Sequence, residues 1–179
     1  MPVPANGPVA RQSTAQSLTG FATLLRANLN IGDRFAIELL EAHATMTRVD
    51  FQDFLDAISD CFIEENFAGW RARIVLPMTM TKRHGSEHFT TEDALAENFA
   101  LYIDACRILA LDQIVRRPIS LEDCGDGTWL GTYETNLLSR GQRAVAPYIS
   151  TALLHPDNHH VRFSAILNAR GHHEWTDAG

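Results

Sequence analysis

Long hydrophobic runs and an excess of positive charge are both missing from this chain of 179 residues. No apolar run approaches the ~20 residues that a membrane-spanning helix needs. Lysine and arginine total 15 against 22 aspartate and glutamate residues, which gives a formal net charge of −7. Because phosphate binding needs a basic field, this balance argues against nucleic acid as a partner. We therefore expect neither a membrane nor a nucleic acid among the partners.

Cysteine is scarce, with three residues at unrelated positions: Cys61, Cys106 and Cys124. An odd number at unrelated spacings argues against a disulfide framework and favours reduced thiols. The first eight residues contain no early positive charge and no apolar stretch, so they do not read as a secretory signal. Both observations predict a cytoplasmic protein.

Catalytic and metal-binding motifs are also few. There is no serine or cysteine nucleophile motif, and Gly125-Asp126-Gly127 indicates a hairpin turn, not a phosphate-binding loop. The histidine pair His84 and His88 and the histidines within residues 155–160 fall in predicted turns. No set supplies three ligands on rigid elements, so we expect neither a metal nor another cofactor.

Residues 90–168 contain the clearest structural pattern. Thr90 is a predicted N-cap, with Asp93 three residues further on, where a carboxylate can reach the cap amide. Apolar side chains then recur at helical spacing: Leu95, Phe99, Tyr102, Ile103, Cys106 and Leu109. Glu97 and Asp104 fall on the opposite face, as in an amphipathic helix.

Strand patterns surround this helix. Four strands are predicted after it, over residues 114–122, 128–139, 145–154 and 161–168, and a hairpin is predicted before it, over residues 70–90. Pro77 predicts an edge strand or a bulge in that hairpin. A further helix over residues 50–62 precedes the hairpin. One long helix lying on a run of antiparallel strands is an α+β arrangement with a cupped sheet.

The chain divides into three predicted parts. Residues 1–48 would form an N-terminal arm and helices, one over residues 17–29 and another over residues 34–47, although residues 35–39 also alternate like a strand. Residues 49–169 would form the main domain. Residues 170–179 are a polar tail with one tryptophan, which we expect to be frayed.

This order of elements resembles the nuclear-transport-factor-2-like superfamily, the cone fold shared with SnoaL-like polyketide cyclases and ketosteroid isomerases. The resemblance covers residues 49–168. It rests on the helices 50–62 and 92–109, Trp70 with the segment VLPM (75–78), the Gly85 turn, and the strand segments IVRRPI (114–119), WLGTY (129–133) and VAPYI (145–149).

The resemblance implies a curved, mostly antiparallel sheet that forms a cone, with helices over its concave face and extra N-terminal helices added. It also implies a ligand between sheet and helices. Catalytic members of the superfamily use an inward Asp, or a His–Asp pair, with a Tyr as hydrogen-bond donor. The same cone also serves in transport adaptors and non-catalytic oxygenase subunits, so fold alone does not decide function.

Five aromatic residues are the candidate ligand-binding set: Trp70, Tyr102, Trp129, Tyr133 and Tyr148. Aromatic-lined cavities with a few polar groups are the usual form of small-molecule sites. The alternative is that these rings simply fill the core.

The register of the strand over residues 128–139 decides whether an acid reaches the cavity. Tyr133 and Glu134 must face opposite ways. We expect Tyr133 to face inward beside Tyr102, because burying Thr132, Glu134 and Asn136 would require a partner for each. In the reversed register, Glu134 would be the buried acid and a candidate for a general base.

Two functional interpretations remain open from the sequence. The first is a protein that binds a small, largely apolar molecule, with a SnoaL-like isomerase, cyclase or hydrolyase activity that needs no cofactor. The second is a non-catalytic module for oligomerisation, or an accessory subunit like the small subunit of ring-hydroxylating oxygenases. A buried acid near a tyrosine in an open cavity would favour the first, and a cavity filled by side chains the second.

The strand over residues 145–154 has two apolar faces. One can pack beneath the helix, and the other would leave an exposed apolar patch that monomers seldom carry. We therefore expect a homodimer through the sheet. The competing account is that residues 14–47 cover the patch within one chain.

Overall fold

The computed structural model describes residues 46–156 and 160–176. The predicted arm and the two predicted N-terminal helices lie in residues 1–47, of which residues 1–45 are outside the described part.

Within the described residues there are four helices and seven strands. The helices are α1 (Arg48–Ile63), α2 (Phe67–Arg71), α3 (Glu92–Ile108) and α4 (His172–Thr176). The strands are β1 (Ile74–Lys82), β2 (Gly85–Phe89), β3 (Gln113–Asp123), β4 (Trp129–Ser139), β5 (Gln142–Arg143), β6 (Tyr148–Pro156) and β7 (Val161–Leu167). None of these helices has the length and apolar character required to cross a membrane.

The strands form one curved, unclosed sheet in the order β2-β1-β7-β6-β4-β3, with β5 added to the end of β4. The predicted meander is confirmed, because β3, β4, β6 and β7 pair in antiparallel succession. The pairing of β1 with β7 is parallel. The predicted α+β class with a mostly antiparallel sheet is therefore confirmed.

Helix α1 begins with a reciprocal cap between Thr47 and Asp50, in which each side chain accepts from the other residue's backbone N–H. The Asp50 backbone N–H donates to Thr47 Oγ1 at 3.2 Å, and the Thr47 N–H donates to Asp50 Oδ2 at 2.8 Å. This capping box satisfies amide groups that the first helical turn leaves unpaired, so the helix begins at Arg48, two residues before the predicted start. The predicted apolar face is confirmed as buried: Phe51, Phe54, Leu55, Ile58 and Phe62.

Helix α3 carries the predicted apolar face toward the sheet, but its cap differs from the prediction. Thr91, not Thr90, is the N-cap, and its Oγ1 accepts a 3.3 Å hydrogen bond from the Ala94 N–H. Glu97 and Asp104 lie on the face away from the core, as expected. The long helix that the sequence predicted is therefore confirmed, shifted by one residue at its cap.

The segment before β1 is helical, whereas the sequence analysis placed Trp70 at the start of a strand. Asn66 caps the short helix α2 by accepting a 2.8 Å hydrogen bond from the Gly69 N–H. This cap turns the chain and buries Trp70. The predicted bulge near Pro77 is confirmed, because the register of β1 against β7 shifts between Ile74 and Thr79.

The polar tail is not frayed over its described part. Residues His172–Thr176 form α4, and Trp175 is 3% exposed. The Gly171 N–H donates to Glu174 Oε2 at 2.7 Å at the start of this helix. The prediction of a frayed tail was wrong here because burial of the Trp175 ring provides the apolar contact that the local sequence pattern did not show.

Candidate functional site

A cavity of about 60 Å³ lies between the concave face of the sheet and helices α1 and α3. Four of the five predicted aromatic residues line it: Trp70, Tyr102, Tyr133 and Tyr148. They come from α2, α3, β4 and β6, so the cavity is where these separate elements converge. Its other walls include Met78 and Met80 of β1 and Phe163 of β7.

Trp129, the fifth predicted residue, does not line this cavity. It borders a separate hollow together with Pro118 and Leu121. Trp129 shares a strand face with Tyr133, but Gly131 lies between them, and the ring of Phe51 occupies the space above that glycine. A Cβ atom on Gly131 would lie 2.7 Å from Phe51 Cε2, which is inside van der Waals contact. Trp129 is therefore separated from the cavity by the ring of Phe51.

The register of β4 turns Tyr133 inward, which confirms the prediction. Tyr133 is 7% exposed and lines the same cavity as Tyr102. Glu134 is half-buried on the opposite face, where its Oε1 accepts a 2.9 Å hydrogen bond from Asn136 Nδ2. Glu134 is therefore not brought to the cavity and is not positioned to act there as a base.

The tyrosine hydroxyls are the titratable acids of this cavity, because no Asp, Glu or His is among the lining residues that the structure describes. Burial raises the pKa of Tyr148 to about 12 and raises the pKa of Tyr102 and of Tyr133. All three hydroxyls stay protonated at neutral pH. Tyr133 and Tyr148 can therefore donate hydrogen bonds to a ligand, whereas the Tyr102 hydroxyl already donates to the Arg170 main-chain oxygen. None of the three can serve there as a ready proton acceptor.

Arg116 also lines the cavity and is not among the five predicted residues. It is 6% exposed, and its Nη1 donates a 2.8 Å hydrogen bond to Ser59 Oγ. Its guanidinium carbon lies 5.6 Å from the centre of the Phe62 ring, within cation–π distance. A signal was present in the sequence, since Ile114 and Arg116 are two apart in a strand and must share a face.

The C-terminal segment forms part of the cavity wall, which was not predicted from the sequence. Trp175 packs edge-on against Tyr102, with ring centres 4.9 Å apart. The Tyr102 hydroxyl donates a 2.6 Å hydrogen bond to the main-chain oxygen of Arg170, and the Arg170 guanidinium lies 4.9 Å from the Tyr148 ring centre. The short polar segment has no periodic pattern from which this docking could have been predicted.

The histidines considered as metal ligands do not form a cluster in the described residues. His88 Nδ1 lies 3.0 Å from Thr79 Oγ1, and His155 Nε2 lies 2.6 Å from Ser164 Oγ. No group of three or more His, Cys, Asp or Glu side chains arranged to hold a metal occurs in residues 46–156 and 160–176. His159 lies outside these residues.

No family model matches the sequence, and no curated protein matches it. Solved structures do match. Aln2 from a Streptomyces species is 18% identical, with 66% of this chain and 86% of that chain covered and a TM-score of 0.50. An NTF-2-like protein of unknown function from Shewanella oneidensis is 7% identical, with 68% and 98% covered and a TM-score of 0.53.

Rv3472, a protein of unknown function from Mycobacterium tuberculosis, is 15% identical to this chain. It matches over 83% of this chain and 82% of its own length, with a TM-score of 0.51. At these identities the likeness shows the fold alone. The described part of the chain has the nuclear-transport-factor-2-like cone fold, as its resemblance implied.

Proposed function

We propose that this cone-fold chain is a binding protein for a small, largely apolar molecule, which it holds in the cavity between the sheet and α3. The observation that carries the proposal is the composition of the cavity wall. Aromatic and aliphatic side chains form most of it, and a few hydrogen-bond donors converge on it from Arg116, Tyr133 and Tyr148. This is the usual composition of a small-molecule site.

Binding without general-base catalysis fits the wall better than a SnoaL-like isomerase, cyclase or hydrolyase activity. Such an activity would need an inward acid or a His–Asp pair, by resemblance to catalytic cone proteins. The lining residues in the described part of the chain include no Asp, Glu or His, and Glu134 faces the other side of the sheet. The tyrosine hydroxyls stay protonated at neutral pH and supply donors only.

The non-catalytic module is a second candidate, and the small size of the cavity favours it. A cavity of about 60 Å³ is less than half of the roughly 150 Å³ that accommodates benzene in an engineered protein core. Side chains that fill most of the cone would leave the fold with an oligomerisation or accessory role. The two candidates differ in one testable property. A binding protein takes up a small molecule in the cavity, and a non-catalytic module does not.

The test is ligand-observed NMR with two uncharged probes of different size, isopropanol and benzyl alcohol, on the full chain. We expect saturable binding of isopropanol by the wild type, and we expect Trp175→Ala to admit benzyl alcohol as well because it enlarges the cavity. Trp129→Ala is the matched control, since Trp129 lies outside the cavity and its loss should leave both affinities unchanged. Absence of saturable binding by both the wild type and Trp175→Ala would exclude the binding function and favour the module.

We also propose that the protein is a cytoplasmic homodimer that associates through the convex face of the sheet. Ile149 of β6 and Leu167 of β7 are 48% and 49% exposed. Thr151 comes two residues after Ile149 and therefore shares its strand face, and Thr151 pairs directly with Leu167. Ile149 and Leu167 thus both lie on the convex face. The three cysteines are free, as expected in a reducing compartment. A second copy would remove these apolar side chains from water.

A further inference from the structure

We propose that the ligand of this cavity is an organic monocarboxylate, and that Arg116 binds its carboxylate group. The inference rests on the proposed binding function and adds the chemical class of the ligand. The structural basis is a buried cation in the cavity wall that has no anionic partner in the described residues.

Within the described part of the chain, the charge of Arg116 is poorly compensated. An arginine side chain stays charged in proteins and carries five N–H donors. The described residues provide one acceptor, Ser59 Oγ at 2.8 Å, and one aromatic face, Phe62. In residues 46–156 and 160–176, no carboxylate oxygen lies within 4.0 Å of the guanidinium nitrogens. Burying a charge without an ionic partner is costly, and a ligand anion would offset that cost.

Ser59 holds the guanidinium in place instead of neutralising it. The Ser59 hydroxyl donates its own proton to the Leu55 main-chain oxygen at 2.8 Å, so its oxygen is free to accept from Arg116. One guanidinium edge is thereby fixed against α1. The remaining donors are available for a carboxylate, which arginine binds through two parallel hydrogen bonds.

A second polar group lies next to Arg116 on the cavity wall. Thr135 of β4 pairs directly with Arg116 of β3. Its hydroxyl is buried beside the Tyr148 hydroxyl, and it makes no hydrogen bond of normal geometry in the described residues. Thr135 also lines the cavity. A carboxylate bound to Arg116 would offer this hydroxyl an acceptor, so one ligand group would satisfy both unmet requirements.

The rest of the wall limits the body of the ligand. Beyond the polar end, the lining is formed by rings and aliphatic side chains, including Trp70, Met78 and Phe163. The volume of about 60 Å³ restricts an undisplaced ligand to a compact body, smaller than benzene. A short-chain aliphatic acid meets both conditions, with its charge at Arg116 and its alkyl end among the rings.

Among the described lining residues, Arg170 is the other cation, and it provides the internal comparison. It is only partly buried, and it stacks on Tyr148 at 4.9 Å. A ligand carboxylate that bound there would be more exposed to water, which weakens charge pairing. Arg170→Gln is therefore the matched control for Arg116→Gln, because each variant removes one cavity cation.

The experiment compares butyrate with butyramide, its uncharged analogue, by calorimetry and ligand-observed NMR at constant ionic strength. For the wild type we expect butyrate to bind at least about tenfold more tightly, since hydrogen bonds to charged groups are the stronger class. Arg116→Gln should abolish this preference, and Arg170→Gln should retain it. Thr135→Val should weaken butyrate several-fold and butyramide less, because a hydrogen bond to a charged acceptor is the stronger one.

Each result decides a definite point. Equal affinities for the two probes in the wild type would overturn the carboxylate assignment while leaving the binding function intact. If neither butyrate nor butyramide binds, and the uncharged alcohols do not bind either, both the carboxylate assignment and the proposed binding function are overturned. A preference for butyrate that disappears in Arg170→Gln and survives in Arg116→Gln would also overturn the assignment of the carboxylate to Arg116. Should Arg116→Gln not fold, Arg116→Lys and Thr135→Val carry the test: unchanged butyrate binding in both variants would reject the assignment.

Discussion

The hydroxyl of Tyr102 donates a 2.6 Å hydrogen bond to the main-chain oxygen of Arg170, which ties α3 to the segment that leads into α4. The same tyrosine ring packs edge-on against Trp175. The C-terminal segment is therefore held to the covering helix by both a polar and an apolar contact. This docking makes the segment part of the cavity wall.

Tyr102→Phe should loosen that docking while keeping the ring. We expect the free energy of unfolding to fall by about 1 kcal/mol, the usual net value of one hydrogen bond. Tryptophan fluorescence should report greater exposure of Trp175, measured against Trp175→Phe to subtract its contribution. An unchanged spectrum together with unchanged urea unfolding would mean that the hydrogen bond does not hold the segment.

Gly131→Ala should destabilise the protein by about 1–3 kcal/mol, the usual cost of overpacking a filled core. The added methyl group would meet Phe51 and Leu154, with 2.7 Å to Leu154 Cδ1. Urea unfolding measures the loss. Phe51→Leu in the same chain should recover part of it, because the smaller side chain leaves room for the methyl group. Independent, additive effects of the two substitutions would contradict the proposed contact.

The three thiols should react at different rates with a disulfide reagent at pH 8. Cys124 is exposed, whereas Cys61 and Cys106 are buried. Burial raises the pKa of Cys61 and raises that of Cys106 to about 11, so little reactive thiolate forms on either. We expect one fast and two slow reactions by absorbance. Cys124→Ser should remove the fast phase; its persistence would place an exposed thiol elsewhere.

Stability should decrease between pH 10 and pH 12 in part because of Tyr148. Burial raises the pKa of its hydroxyl from 10.0 to about 12. Above pH 10 the unfolded chain loses this proton while the folded chain keeps it, so the free energy of unfolding falls until the pH reaches the folded pKa. Tyr148→Phe should show a smaller decrease in urea unfolding over this interval. Parallel pH curves for the two proteins would contradict this contribution.

Light scattering at micromolar concentration should give about twice the chain mass of 19.9 kDa. Ile149→Asp should split the dimer, because it places a charge on the exposed convex face, and Leu153→Asp should act in the same way. Ile108→Asp is the matched control, since Ile108 is 72% exposed on α3, away from the sheet. A monomeric wild type would reject the dimer and favour coverage by residues 14–47. A dimer retained in both sheet variants would place the contact elsewhere.

The alternation of β4 and the apolar spacing of α1 and α3 were sufficient to predict which faces of these elements are buried. Tyr133 could be placed inside and Glu134 outside because side-chain direction in a strand reverses at every residue. Helix faces follow in the same way from a period of 3.6 residues. These properties are local, so they can be read from neighbouring residues without knowing how the chain packs.

Which side chains reach the cavity was decided by contacts between residues far apart in the sequence. Trp129 is on the expected strand face. The ring of Phe51 of α1 nevertheless fills the space over Gly131 and separates Trp129 from the cavity. Trp175 enters the wall from a segment with no periodic pattern, held by Tyr102. The sequence by itself determined the faces of the helices and strands through their periodicity. Only the tertiary structure decided the contents of the cavity, because close packing lets a single ring from a distant element open or close a space.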